Sequence, residues 1–121
     1  MTLLGGATAT WPVSALAQKP PVRIGFLATG APGSANSVAQ IDEIKHGLRE
    51  TGLMEGRDYV LDVQFASGDY RLFPEMARKL AQAGARLLLA QTISSVRAAQ
   101  NVSPPLPVVM LVWVTGHLPD F

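Results

Sequence analysis

Apolar and polar positions fall into blocks that predict strands and helices in alternation. Val22–Ala28 is nearly continuously apolar and follows two prolines, the pattern of a strand covered on both faces. In residues 59–66 the apolar positions recur with a period of two, which is typical of a strand at the edge of a sheet. Residues 86–90 again form an apolar run, and residues 106–112 predict a fourth strand.

The first predicted helix begins near Val38 and ends before Gly52, a residue suited to the left-handed cap. Ser37 starts a four-residue stretch with the spacing of a capping box. Apolar residues then recur at helical spacing, namely Val38, Ile41, Ile44 and Leu48. Asp42 and Glu43 are expected in the first turn, where the helix dipole favours negative charge.

Two shorter helices are predicted on either side of the third strand. One covers about residues 72–83, with Asp69 as a possible cap and Pro74 in the first turn, where proline is tolerated. The residues expected to face inward from this helix are Phe73, Met76, Ala77 and Leu80. The other helix covers about residues 94–101.

Strand followed by helix, three times over, predicts an α/β fold with a parallel sheet and helices on both faces. Continuous apolar strands suit the interior of such a sheet and the alternating strand suits its edge. We therefore expect a three-layer, doubly wound sheet with strand order 2-1-3-4. Ligands of such sheets bind beyond the carboxyl ends of the strands, where the order reverses. Here that edge comprises residues 29–37, residues 91–95 and the segment after the fourth strand.

Residues 1–17 predict an export leader. No charged residue precedes Lys19, residues 3–16 are moderately apolar, and Ala15-Leu16-Ala17 places small residues where a signal peptidase cleaves. A cytosolic N-terminus is the alternative, because the basic segment that usually opens a leader is missing. Cleavage after residue 17 leaves enough chain for one small domain.

Composition narrows the classes of function. Ten basic and nine acidic side chains give a net charge of +1, too weak a field to attract nucleic acid or an anionic membrane. The chain has no cysteine, which excludes disulfides, a thiol nucleophile and thiolate metal ligands. Its two histidines have no matched carboxylate spacing, and no Ser-His-Asp arrangement stands out. We therefore expect no catalytic residue, no metal and no cofactor.

A set of short segments also occurs along the chain in a fixed order. They are Thr2-Leu3-Leu4-Gly5-Gly6-Ala7, Trp11-Pro12, Ala15-Leu16-Ala17-Gln18, Ile24-Gly25-Phe26-Leu27, Gly47-Leu48-Arg49-Glu50-Thr51-Gly52, Glu55-Gly56-Arg57-Asp58, Ala66-Ser67-Gly68-Asp69-Tyr70 and Leu106-Pro107-Val108-Val109. Over residues 2–110 this set resembles a large bacterial family of ABC-transporter substrate-binding proteins. The resemblance implies a periplasmic protein whose two α/β lobes close on a small organic solute and present it to an inner-membrane permease, without catalysis.

On this resemblance, residues 18–112 form part of an N-terminal lobe with the periplasmic-binding-protein fold. Residues 1–17 match the leader without its basic start, and residues 113–121 only loosely match the family's loop after the fourth strand. Two alternatives stay open. One is a truncated fragment that binds nothing well, since a single lobe leaves half of a ligand exposed. The other is a cytosolic flavodoxin-like enzyme or regulator. An uncovered edge of the fourth strand, where the next strand of the lobe should pair, also favours self-association.

The candidate solute ligands lie on two loops at the carboxyl edge of the sheet. They are Thr29, Gly30, Ser34, Asn36, Ser37, Gln91, Thr92, Ser94 and Ser95. The first loop offers backbone N–H groups and side chains to a carboxylate at the N-terminus of the first helix. The resemblance implies that the hydroxyls of the second loop hydrogen-bond a bound solute. Simple helix capping is the alternative for both loops, because Ser, Thr and Asn are ordinary cap residues.

Overall fold

The computed structural model describes residues 20–112 and contains one parallel sheet of four strands in the order β2-β1-β3-β4. The strands are β1 (Val22–Ala28), β2 (Tyr59–Phe65), β3 (Leu87–Ala90) and β4 (Val108–Met110). The helices are α1 (Ala35–Glu50), α2 (Phe73–Gln82) and α3 (Ile93–Gln100), with a 3₁₀ turn at Tyr70–Leu72. The predicted α/β class and strand order are confirmed. The predicted leader (1–17) and tail (113–121) lie outside the described residues.

Two separate apolar cores cover the two faces of the sheet. Ile24 and Phe26 of β1 point towards α1, where they pack with Ile44. Leu27 of β1 points the other way and packs against α2 and α3, together with Leu80. Successive residues of a strand point to opposite faces, so one continuously apolar strand can contribute to both cores. This is why the unbroken apolar pattern of β1 predicts its central position.

The start of α1 lies one turn earlier than the sequence pattern predicts. Its N-cap is Ser34, whose Oγ accepts a hydrogen bond from the Ser37 backbone N–H at 3.2 Å. The expectation of a start near Val38, with Ser37 as the cap, is therefore wrong. As a consequence Ser37 faces inward and is buried, whereas Val38 is 46% exposed.

The end of α1 agrees with the prediction. Gly52 has a φ of +91° and follows the helix, and the Leu53 N–H donates to the Leu48 carbonyl at 3.0 Å, which is a Schellman-type cap. Because α1 begins at Ala35, Asp42 and Glu43 lie in the middle of the helix and not in its first turn. The expected interaction of these two carboxylates with the N-terminal dipole is thus not found.

The second helix follows the sequence pattern closely. Asp69 caps the 3₁₀ turn by accepting a hydrogen bond from the Arg71 N–H at 3.1 Å, and Pro74 lies in the first turn of α2. The four residues expected to face inward are all buried: Phe73, Met76, Ala77 and Leu80. The close approach of this helix to β1 depends on Gly25, since an added Cβ would lie 2.8 Å from Leu88 Cδ2 and 3.1 Å from Leu80 Cβ.

The fourth strand is shorter than predicted, with three residues in place of the seven in 106–112. It pairs with β3, which itself has four residues and limits the length of the ladder. Within residues 20–112 no further strand covers its outer edge, and Val109 and Met110 are 46% and 51% exposed. No helix in this part of the chain is both long and apolar enough to cross a membrane.

Candidate functional site

The two predicted loops meet at the carboxyl edge of the sheet because β1 and β3 are neighbours. Their register pairs Leu27 with Ala90, so both strands end at nearly the same level. The chain leaves β1 towards α1 on one face of the sheet and leaves β3 towards α3 on the other. The strand order reverses at this point, and a crevice forms there in open α/β sheets. We refer to the space between the β1–α1 and β3–α3 loops as the switch-point crevice.

The β1–α1 loop is fixed by a contact between a glycine and two serines. Thr29 and Gly30 are half-buried after β1, and an added Cβ on Gly30 would lie 2.5 Å from Ser37 Oγ. The Ser34 hydroxyl donates to Ser37 Oγ at 2.9 Å. Ser37 is buried, so its hydroxyl serves the packing of this turn. Asn36, by contrast, is exposed at the start of α1.

The β3–α3 loop is organised by a capping box. Thr92 Oγ1 accepts from the Ser95 N–H at 3.1 Å, and Ser95 Oγ accepts from the backbone N–H groups of Thr92 and Gln91 at 3.0 and 3.2 Å. Ser95 Oγ also accepts from the Thr92 hydroxyl and donates to the Thr92 carbonyl. These bonds use all the hydrogen-bonding capacity of the buried Ser95 hydroxyl. Ser95 therefore acts on this loop by holding its shape, and Ser94 is the exposed hydroxyl.

The structure thus leaves unpaired backbone donors at the starts of α1 and α3. At each helix start the third and fourth N–H groups donate hydrogen bonds to the N-cap residue. In α1 these are the N–H groups of Ser37 and Val38, and in α3 those of Ser95 and Val96. The first two N–H groups of each helix, in Ala35, Asn36, Ile93 and Ser94, have no hydrogen-bond partner within residues 20–112. Such unpaired donors at a helix N-terminus carry partial positive charge and suit an anionic group.

Gln91 adds a polar side chain at the same edge. It is half-buried directly after β3, and its Oε1 is buried without a hydrogen-bond partner among the described residues. The nine predicted site residues therefore divide into three groups by their surroundings. Ser34, Ser37, Thr92 and Ser95 form caps, whereas Asn36 and Ser94 are exposed; Thr29, Gly30 and Gln91 lie half-buried at the strand ends.

The loop after β2, a third loop that the predicted site does not include, is hydrogen-bonded to the β1–α1 loop. The Gly68 N–H donates to the Thr29 carbonyl and the Ser67 N–H to the Gly30 carbonyl, both at 2.9 Å. Ser67 has a φ of +50°, which is uncommon for a residue with a side chain. A parallel β1–β2 pairing brings the residues after β2 to this edge, and that pairing is the sequence signal that points to them.

Beyond this loop an aromatic pair and an ion pair mark the β2 side of the edge. Tyr70 is exposed, and its ring centroid lies 5.0 Å from that of the buried Phe73. Asp69 accepts hydrogen bonds from the Arg71 guanidinium at 2.9 and 3.1 Å, which lowers the pKa of its carboxyl group. The Tyr70 ring therefore packs on Phe73 while Tyr70 remains 45% exposed.

The described residues of this edge supply N–H donors, hydroxyls and amides. Residues 20–112 contain no group of three or more His, Asp or Glu side chains placed to hold a metal ion.

Comparison with known proteins bears on the fold. No protein-family model matches the chain, and no curated protein matches it significantly. Among solved structures, the chain is similar to a conserved domain protein from Vibrio cholerae O1 biovar El Tor str. N16961, with a TM-score of 0.61 and 18% sequence identity. The likeness shows the fold alone. It covers 76% of this chain and 30% of the Vibrio protein, so the chain spans less than a third of that protein's length.

Proposed function

We propose that the chain forms part of a solute-binding lobe of an ABC-type uptake system, and that the switch-point crevice contacts a small organic solute. The observation that carries this proposal is the pair of helix N-termini beside the crevice, with two unpaired N–H groups on each. The family resemblance of the sequence over residues 2–110 supports the same function. On this proposal the protein acts in the periplasm and delivers its solute to an inner-membrane permease.

The donors favour a solute with a carboxylate. Partial positive charge at a helix N-terminus stabilises an anion by about 0.3–1 kcal/mol at an exposed position. A single lobe leaves much of a small ligand in water, so we expect weak binding by this chain. We therefore expect measurable binding only for solutes that carry a carboxylate.

Isothermal titration calorimetry of the full chain with benzoate, phenylalanine and benzamide tests this proposal. Benzoate and benzamide have the same ring and differ in charge, so the proposal predicts heat of binding for benzoate and none for benzamide. Equal heats for the two, or none for any of the three compounds, would contradict carboxylate recognition. The absence of all binding would favour the alternative of a fragment without binding function.

Proline substitutions at the first residue of each helix identify the donors. Proline is favoured at this position, and the residues before it, Ser34 and Thr92, already have the extended conformation that proline requires. Ala35→Pro and Ile93→Pro each remove one unpaired N–H without removing an intrahelical bond. We expect weaker benzoate binding in both variants, whereas Ala35→Ser, which keeps the N–H, should bind as the wild type does.

A further inference from the structure

An apolar groove of about 450 Å³ runs beside α1 on one face of the sheet. It lies away from the switch-point crevice, over β3 and β4. Its walls are formed by Ile24, Ile44, Leu87, Leu89, Val109 and Leu111. Among residues 20–112, Glu43 is the one charged residue at its border. A surface of this composition is unfavourable in water and indicates that another segment packs on it.

The two faces of β3 and β4 differ in their cover. On the opposite face α3 packs against both strands, and Val108 joins the core there. On the α1 face Leu89 of β3 is buried in the cluster that contains Ile44 of α1, but no described helix covers β4, which leaves Val109 46% exposed. A strand added beside β4 would be reached from β4 by a right-handed crossover. Such a crossover lies on the α3 face of the sheet, so it does not fill a groove on the α1 face.

We propose that the chain's own residues 1–18 pack in this groove. Apart from the terminal amine they carry no charge, as the groove requires, and they include six large apolar residues: Met1, Leu3, Leu4, Trp11, Val13 and Leu16. Residues 113–121 are less suited, because they contain His117 and Asp120.

The point at which residues 1–18 join the described chain also favours them as the segment that fills the groove. The described chain begins at Pro20, and Ile24, four residues further on, already lines the groove. An extended segment advances about 3.3 Å per residue, so a segment of 18 residues is several times longer than the four-residue strand β3 over which the groove runs. On this proposal residues 1–18 pack against the folded domain. If the domain folds before export, the predicted leader is therefore buried. The proposal does not depend on solute binding.

Tryptophan fluorescence can test this proposal directly, since the chain has two tryptophans, Trp11 and Trp113, one in each segment under comparison. In the full chain with Trp113→Phe, the emission of Trp11 should lie at short wavelength and resist quenching by acrylamide. Adding Val109→Asp, which places a charge in the groove, should shift the emission to longer wavelength and increase quenching.

Met110→Asp is the matched control, because Met110 lies next to Val109 in β4, is similarly exposed and points to the opposite face. It should leave the Trp11 emission unchanged. Far-ultraviolet circular dichroism must show that both variants are folded. Solvent-exposed Trp11 emission in the folded Trp113→Phe chain would overturn the proposal. The proposal would also be overturned if, in a Trp11→Phe chain, Trp113 proved to be the residue that responds to Val109→Asp. A Trp11 signal that depends on protein concentration would overturn it as well, because it indicates that a second copy fills the groove.

Disulfide formation gives an independent measurement, because the chain has no cysteine of its own. The pair Leu16→Cys with Val109→Cys should form an intramolecular disulfide faster than the pair Leu16→Cys with Met110→Cys. Equal rates for the two pairs would contradict packing of the leader in the groove.

Discussion

Gly30 passes so close to Ser37 that an added Cβ would lie 2.5 Å from the serine Oγ. Ser37 is buried and hydrogen-bonded to Ser34, so its side chain cannot swing into solvent. We expect Gly30→Ala to lower the free energy of unfolding by about 1–3 kcal/mol, the usual cost of overpacking. Urea unfolding of the full chain measures this loss.

A second substitution should relieve the clash. In Gly30→Ala with Ser37→Ala, the nearest remaining atoms are Ser34 Oγ at 3.4 Å and Ser37 Cβ at 3.9 Å, which are ordinary contacts. The double variant should therefore lose less stability than the sum of the two single variants. Strict additivity would show that the contact does not limit the packing of this loop.

Two glycines with opposite surroundings allow a matched comparison. An added Cβ on Gly25 would lie 2.8 Å from Leu88 Cδ2, a buried atom, whereas one on Gly47 meets nothing within 4 Å. Gly25→Ala should destabilise the fold by about 1–3 kcal/mol. Gly47→Ala, in the last turn of α1, should stabilise it by up to about 1 kcal/mol because alanine favours the helix. Thermal unfolding that moves in the same direction for both variants would contradict this prediction.

Loss of the Thr92 side chain should destabilise the start of α3. Thr92 Oγ1 accepts the Ser95 N–H and donates to Ser95 Oγ, so Thr92→Ala removes a cap worth about 1 kcal/mol. Thr92→Ser keeps the hydroxyl and should retain most of the stability. Urea unfolding distinguishes the two variants, and a similar loss in both would show that the methyl group of Thr92, not its hydroxyl, matters.

Stability should decrease with acidification partly through Asp58. Hydrogen bonds from the Arg57 guanidinium and the Met54 N–H lower the pKa of this carboxyl group below its ordinary value of 3.8. A group whose pKa is lowered by folding stabilises the fold above its unfolded pKa, and this contribution is lost as the pH falls through the lowered value. The decrease in melting temperature from neutral to strongly acidic pH should therefore be shallower in Asp58→Asn. Arg57→Gln should reproduce part of this change, and an unaltered pH dependence in both variants would contradict it.

The open edge of β4 should cause self-association. Within residues 20–112 no strand pairs with the outer side of residues 108–110, and an exposed edge of this kind pairs readily with another strand. Sedimentation velocity of the full chain should show a concentration-dependent increase in mass, and Met110→Lys should reduce it. A wild-type chain that stays monomeric at all concentrations would contradict the role of this edge.

Hydrophobic periodicity predicts much of this fold. β1 has the bounds that its apolar run indicates, and its place between β2 and β3 follows from the contrast between a continuous and an alternating strand. The start of α1 is not predictable in the same way. Both Ser34 and Ser37 are good cap residues, and the tertiary contact of Ser37 with Gly30 makes Ser34 the cap.

The candidate site is predicted less completely than the fold. Its two loops follow from the strand order, because the end of each central strand is visible in the sequence. The third loop is joined to the first through N–H groups of Ser67 and Gly68 and carbonyl groups of Thr29 and Gly30. Backbone groups are common to all residue types, so this attachment leaves little trace in the side-chain pattern.

On the proposed function, the two hydrogen bonds that join Ser67 and Gly68 to the first loop also bear on how a solute is accommodated. They hold the β1–α1 loop from one side while Ser34 and Ser37 hold it from the other, so hydrogen bonds constrain both sides of this wall of the crevice. Solutes of different size must then be accommodated by the opposite wall or by a second body that closes over them. Selectivity is therefore expected to reside away from the β1–α1 loop, which provides a fixed reference surface for every solute.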